Sequence, residues 1–337
     1  MHATLYEFCS ILGFVMRNRV EKKRRQKLDN LQHAIAAAKS SIISAIGATD
    51  DSFTFDESST TPWVSYCDGK WATTPNSSSN IVDDIDWSLL PTSLDPAAGE
   101  LQPDRAQRKR QQIMSLIHIL ERDIAPLYEN MTVVDFGAGS GHLGLLFAFR
   151  NPSSNVILAE RKEYCVEIAH DRIRSCQLSN VSVYSRDIRY VMDDLSFDVG
   201  VSLHSCGQLT DTALDICRKT QASFVITPCC YGQIASPPPS FVPDFVNLPF
   251  EAFKYLSEIS CDVFRAIASG ADYNSNEEHN PLAKQCMRIV NLDRMLSFCS
   301  VTSVPYQFYL ASLVPLNCSP KNDVIVAINR YKLNKNV

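Results

Sequence analysis

Three carboxylates and a run of glycines supply the first chemistry in this chain. Asp135 stands inside "VDFGAGSGHLG", where Gly137, Gly139 and Gly141 recur at every second position. Glycine tolerates positive φ and carries no Cβ, so a small molecule can approach that backbone closely. Glu160 follows "NVILA" and Asp187 follows "VSVYSR", each closing a short β-branched run. Open α/β sheets bind ligands at the carboxyl ends of their strands, where all three acids fall. Two ligands suit the glycines. Gly139, Gly141 and Gly144 match the dinucleotide spacing G-x-G-x-x-G, which seats a pyrophosphate on a helix N-terminus. The D-x-G-x-G-x-G reading instead suits S-adenosylmethionine, with Asp135 facing the methionyl ammonium, Glu160 accepting both ribose hydroxyls and Asp187 receiving the adenine amino group. Each acid alone could be a helix cap or a turn residue, but three at consecutive strand ends form a constellation. Phe136, Gly137, His142, Arg161, Ile188 and Leu203 are the neighbours expected to complete the cofactor wall.

A second group lies in "FDVGVSLHSCGQLTD" and "ASFVITPCCYG". His204, Cys206, Cys229 and Cys230 are residue types that bind zinc. Consecutive residues of an extended strand point to opposite faces, so Cys229 and Cys230 could share one ion only through a sharp turn, and no metal is expected. A thiolate nucleophile needs a depressed pKa, and nothing in the sequence selects one cysteine for it. Burial beneath the cleft is the simpler role for these small thiols. His204 is a candidate general base, since histidine titrates near neutrality, or else a hydrogen-bonded structural residue. Tyr231 is expected at the mouth of the fifth strand, stacked on a planar substrate or capping the core. Arg105, Arg108, Lys109 and Arg110 precede the first strand and would lie near the methionyl end, on a solvated helix face, or against a phosphate backbone.

The elements that must position these residues follow from periodicity. Strands are expected over 131–136, 155–160, 181–187, 197–204 and 222–230, with helices over 141–150, 162–177 and 210–219 between them. That βαβ alternation predicts a doubly wound, mostly parallel sheet. "YQFYLASLVP" and "NDVIVAINRY" are expected to pair as an antiparallel carboxy-terminal edge, after the helix "LAKQCMRIVNLDRMLSFC". No second βαβαβ half for a nicotinamide follows the fifth strand, which favours S-adenosylmethionine over a dinucleotide. The expected division is a separate helical segment over 1–46, a flexible Ser/Thr/Asp/Pro-rich linker over 47–99 holding Trp63, Trp71 and Trp87, and a domain over 100–331 with an insertion at 232–280.

With these motifs in order, the chain resembles the seven-stranded S-adenosylmethionine-dependent methyltransferases, and among them the glutathione S-transferase C-terminal domain-containing proteins. The resemblance rests on "DRAQRKRQQ", "VDFGAGSGHLG", "SLHSCGQLTD", "ASFVITPCCYG", "AKQCMRIVNLDR" and "CSPKNDVIV". It implies a Rossmann-like seven-stranded α/β fold and S-adenosylmethionine as cofactor. A histidine with C-G after the fourth strand and Cys-Cys after the fifth also resemble a wider methyltransferase-domain group that includes a tRNA ribose methyltransferase. The D/N-P-P-Y/F/W tetrad of many amino-methylating relatives is absent after the fourth strand. Two functions therefore stand: methyl transfer to a heteroatom acceptor such as RNA, or a cofactor-binding scaffold without transfer activity.

Composition narrows the setting. A net charge of −5 over 337 residues argues against a chain-wide nucleic-acid coat and gives no evidence for DNA, leaving RNA contact to local basic runs such as "RNRVEKKRRQK". Twelve scattered cysteines without a C-x-x-C pair suit a reducing compartment, cytoplasmic or nuclear. The apolar start, Leu5 to Met16, is short, broken by Glu7 and followed by its basic residues, so neither a signal peptide nor a membrane anchor is expected.

Overall fold

The computed structural model describes residues 2–46, 63–67, 70–74, 85–99, 101–235, 253–273 and 281–333. Its strands are β1 (Trp63–Cys67), β2 (Lys70–Thr74), β3 (Thr132–Phe136), β4 (Asn155–Ala159), β5 (Val181–Tyr184), β6 (Val199–Cys206), β7 (Ser223–Cys229), β8 (Tyr306–Ser312) and β9 (Asp323–Asn329). They form one sheet in the order β2-β1-β8-β9-β7-β6-β3-β4-β5. The strands β4, β5, β6 and β7 join β3 in parallel, while β9 runs antiparallel to β7 and to β8. The seven strands from β8 to β5 are the expected mixed Rossmann-like sheet.

The helices are α1 (His2–Ile46), α2 (Pro103–Ile119), α3 (His142–Arg150), α4 (Glu163–Ser175), α5 (Val191–Asp194), α6 (Gln208–Thr220), α7 (Gly232–Ala235), α8 (Lys254–Ile259), α9 (Cys261–Gly270), α10 (Pro281–Val301) and α11 (Arg330–Leu333). Both faces of the sheet are covered, so the strands read as continuous apolar runs, and successive residues serve opposite layers. Val134, Phe136, Phe224 and Ile226 pack with α1, α6 and α10, whereas Val133 and Val225 pack with α2 and α3. Proline at the first position of α2 suits a helix start, where its missing N–H costs nothing. No helix among the described residues is long and apolar enough to cross a membrane.

Two organisational expectations change. Part of the stretch read as a linker forms the β1–β2 hairpin, which pairs Ser65 with Tyr309 and Tyr66 with Phe308 and so displaces β8 from the sheet edge. Residues 85–99 fold into 3-10 turns whose carboxylates, Asp86 and Asp95, accept backbone N–H bonds; Asp95 also holds Arg110. Polar composition was offset there by local capping and by the free backbone edge of β8. Residues 47–62, 68–69, 75–84 and 100 lie outside the described residues, as does much of the expected insertion, of which 253–273 forms α8 and α9. The helix α1 is not a separate unit either. Leu31, Ala34, Ile35, Ala38 and Ile42 recur at helical spacing on one stripe and are buried in the main core.

An ion pair with neither partner exposed ties this layer together. Arg294 on α10 meets Asp211 on α6 through Nε to Oδ1 at 2.7 Å and a second nitrogen to Oδ2 at 3.1 Å. Asn291, one turn earlier, accepts from Arg294 at 3.2 Å and donates to Tyr231 Oη at 3.0 Å and Asp323 Oδ2 at 3.1 Å. Lys284 closes the network on Asp323. Breaking a buried pair leaves an uncompensated charge, so Arg294→Met is expected to cost about 3–5 kcal/mol in urea unfolding. The double variant Asp211→Leu/Arg294→Met should recover much of that loss; equal losses in both would show that the pair is not the source.

Candidate active site

The turn after β3 brings the first constellation together. Gly137 and Gly139 adopt φ 66° and 58°, and a Cβ built on Gly139 would meet nothing within 4 Å. That open space lies beside the backbone where a ligand would approach. Gly141, at φ 85°, ends the turn and starts α3. Asp135 is buried, with Oδ2 accepting the Gly144 N–H at 3.1 Å. Gly144 permits this contact because any side chain there would strike Leu158. Burial pushes the Asp135 carboxyl up to about 7, against the opposing pull of the Gly144 N–H and the Lys109 ammonium.

Glu160 is held at both oxygens. Its Oε2 accepts from Gly139 N and Oε1 from Lys162 N, both at 2.9 Å. A carboxylate oxygen has two lone pairs, so each still accepts one further donor, as a pair of ribose hydroxyls requires. Asp187, three residues past the end of β5, is engaged by its own neighbours. It caps a 3-10 turn through Arg189 N, and its carboxylate also binds the Arg189 side chain and, at 3.5 Å, Arg161. Burial would raise its pKa, but the Arg189 bonds outweigh that and hold it low. Asp187 is therefore an arginine-bound cap past the end of β5, where an adenine amino group would compete with these side chains. Phe136 also departs from its expected role: its ring is fully buried, edge-on to Phe197 at 5.8 Å, leaving only backbone at the turn. Ile188 and Leu203 are buried apolar residues beside the strand ends, and Arg161 is exposed.

His142 and Lys109 complete the polar surroundings. Arg172 donates to His142 Nδ1 at 3.0 Å, so the neutral ring carries its proton on Nε2, a buried donor with no partner among the described residues. Burial, with Arg172 and Lys109 nearby, pushes this histidine down to about 3. Of the four basic residues on α2, Arg105 and Arg108 are exposed and Arg110 forms a bidentate pair with Asp95. Lys109 alone turns inward. Its pKa is lowered by burial and drawn back up by Asp135 and Cys229, and it has no hydrogen bond among the described residues.

The second constellation is built at the ends of β6 and β7. Their ladder pairs Leu203 with Thr227 and then Ser205 with Pro228, leaving His204 as an extra residue in a bulge at φ 66°. A bulge re-aims one side chain, here the imidazole, out of the strand's alternation. Its partner is Gln112 on α2, a residue not singled out in the sequence although it interrupts the apolar stripe of that helix. Gln112 Nε2 donates to the Cys318 carbonyl at 2.8 Å, which turns Oε1 toward His204 Nε2 at 2.9 Å. His204 therefore donates from Nε2 and keeps its lone pair on Nδ1. Burial, reinforced by Lys109, pushes its pKa down to about 4.

Cys230 supplies the sharp turn that the strand pattern lacked. At φ 53° it reverses the chain, and Cys206, Cys229 and Cys230 converge with all three sulfurs within 4.8 Å of one another. The same reversal carries Tyr231 into the core, fully buried and bonded to Asn291, so it neither stacks on substrate nor lies at the cleft mouth.

Nitrogen-15 chemical shifts of His204 are expected to report the Nε2–H tautomer, and Gln112→Leu to abolish that single-tautomer signature. An Nδ1–H ring in the parent protein would show that Gln112 presents its other end.

A family model described as a methyltransferase domain matches residues 108–237. The glutathione S-transferase C-terminal domain-containing protein of Xenopus laevis is 34% identical over 72% of this chain and 38% of its own length. The Homo sapiens protein of that name is 34% identical over 72% of this chain and 37% of its own, and its Drosophila melanogaster homologue 32% over 72% and 40%. The chain thus spans about two fifths of the length of the curated relatives it matches. Among solved structures, magnesium protoporphyrin IX methyltransferase from Synechocystis is 16% identical over 38% of this chain and 60% of that chain, with a TM-score of 0.32. Precorrin-6y C5,15-methyltransferase from Geobacter metallireducens is 16% identical over 34% of this chain and 59% of that chain, at 0.29. The fold assignment rests on the strand order and not on these low scores. The chain carries a methyltransferase domain and is a partial-length relative of the glutathione S-transferase C-terminal domain-containing proteins.

Proposed function

We propose that this chain binds S-adenosylmethionine and transfers its methyl group to a heteroatom of an RNA acceptor. The observation that carries the cofactor is the pairing of a buried Asp135 with a glycine turn that leaves room beside Gly139. The orphaned donor of His142 and the unpaired Lys109 ammonium are further groups that a zwitterionic, hydroxyl-rich ligand would satisfy. Asp135 would hold the methionyl ammonium, Lys109 the methionyl carboxylate, and Glu160 the ribose hydroxyls. The cofactor supplies an already activated sulfonium methyl, so the protein's work is mainly positioning. His204 would act through Nδ1 to take a proton from the acceptor heteroatom, a reading supported by the commitment of its other nitrogen to Gln112.

RNA as the acceptor draws support from α1, where Lys22, Lys23, Arg25 and Lys27 are all exposed. Such a run binds phosphates without base readout. The ten unpaired cysteines among the described residues suit a reducing compartment, cytoplasm or nucleus.

Calorimetry tests the cofactor half. Cation binding needs Asp135 ionised, so affinity is expected to fall as pH drops through about 7 and to level off above it. The sign follows from the protonated carboxyl being neutral; Asp135→Asn should bind weakly and lose this pH dependence. Glu160→Ala should weaken binding by about 1–3 kcal/mol, roughly ten- to a hundredfold. No binding by the parent chain would sink the reading. For transfer, labelled cofactor incubated with total RNA should label RNA, with His204→Ala reducing the rate by roughly a hundredfold or more. Label in protein would redirect the acceptor, and binding without label would favour the scaffold.

A further inference from the structure

The cofactor reading leaves the three cysteines unused. Cys206 and Cys229 are register partners on adjacent parallel strands, and their sulfurs lie 2.9 Å apart. The Cys230 sulfur lies 3.4 Å from that of Cys206. None of the ten cysteines from Cys165 to Cys318 is in a disulfide.

We propose that Cys206, Cys229 and Cys230 form a three-thiolate site for a soft divalent cation of the zinc class, with the fourth position open to water or an exchangeable donor. Tetrahedral zinc holds thiolates at about 2.3 Å, which places their sulfurs roughly 3.8 Å apart. The observed sulfurs of Cys229 and Cys230, 2.9 Å and 3.4 Å from that of Cys206, with all three within 4.8 Å of one another, are gathered close to that spacing. Three separate backbone devices deliver the sulfurs: the parallel register, the bulge at His204 and the left-handed Cys230. A non-glycine residue in that conformation is strained, and the strain persists only where its surroundings over-determine it. A simple disulfide needs two of these thiols and gives no role to the third.

The surrounding charges suit the complex. A divalent ion with three thiolates carries one net negative charge. The Lys162 charge acts on Cys206 and the Lys109 charge on Cys229, both offsetting it, while Asp272 opposes. Cys206 is exposed, so the open coordination position faces solvent beside the His204 bulge. The thiols shed their protons on binding, as all thiolate ligation of zinc requires. No oxidant or reductant takes part.

The full-length chain, purified under reductant without added metal, is the material for the test. Elemental mass spectrometry is expected to find about one zinc per chain. After chelation, re-added zinc should compete successfully with a chromogenic chelator and should protect Cys206, Cys229 and Cys230 from alkylation, while exposed Cys261 stays reactive. Cys206→Ser and Cys230→Ser should each weaken zinc retention at least tenfold, and Cys261→Ser should not change it. The alkylation pattern of the parent protein keeps the test meaningful if a variant does not fold. Failure of the reduced, folded parent to take up zinc would overturn the proposal, as would protection of other cysteines instead of these three. A Cys206–Cys229 disulfide in material isolated without reductant, followed by no zinc uptake on reduction, would overturn it as well.

Discussion

The buried ion pair between Asp211 and Arg294 is the interaction on which the site's frame depends. The helix α6 begins two residues after Cys206, so whatever anchors α6 also anchors the end of β6. Arg294 anchors it from α10, and through Asn291 the same helix reaches Tyr231, one residue past the Cys229–Cys230 turn. Two strand ends, His204 with Cys206 and Cys229 with Cys230, are thereby referenced to one helix. Such a pair is weak evidence for stability, because desolvation offsets most of the attraction. Its directional bonds instead fix one arrangement of the layer. Of the two readings of Tyr231, the core cap is the one this network matches, since it holds the phenol inside.

Opposite electrostatics meet across the cleft. On the glycine-turn side, Asp135 is buried with one backbone donor, and burial outweighs the pull of Lys109, which lies between the two groups. On the bulge side, His204 and Lys109 are both pushed toward neutrality by burial. A ligand bearing both signs would relieve these groups together, whereas a purely anionic one would meet Asp135 at a cost.

Much of the fold was legible because β-branched runs and helical spacing are local signals. The strands from β3 to β7 and the helices between them fall within a few residues of their expected bounds, and the three acids emerge at strand ends. What escaped was set by tertiary context. The hairpin β1–β2 lies within a Ser/Thr/Asp-rich stretch and pairs with β8, which no local window contains. The convergence of Cys229 and Cys230 turns on one backbone angle, and extended geometry predicts the opposite. Gln112 reads as an ordinary helix polar residue, and only the Cys318 carbonyl, 206 residues away, gives its amide a direction. Asp187 reads as a strand-end acceptor until Arg189, two residues on, claims it.

The bulge at His204 makes chemistry separable from architecture. Leu203 and Ser205 already pair with consecutive residues of β7, so the histidine adds nothing to the ladder. Deleting that one codon would let the strand close into regular register, with its hydrogen bonds kept and its strain released. The strand order would be kept, while the one imidazole held out of the strand's alternation, and its bond to Gln112, would be lost.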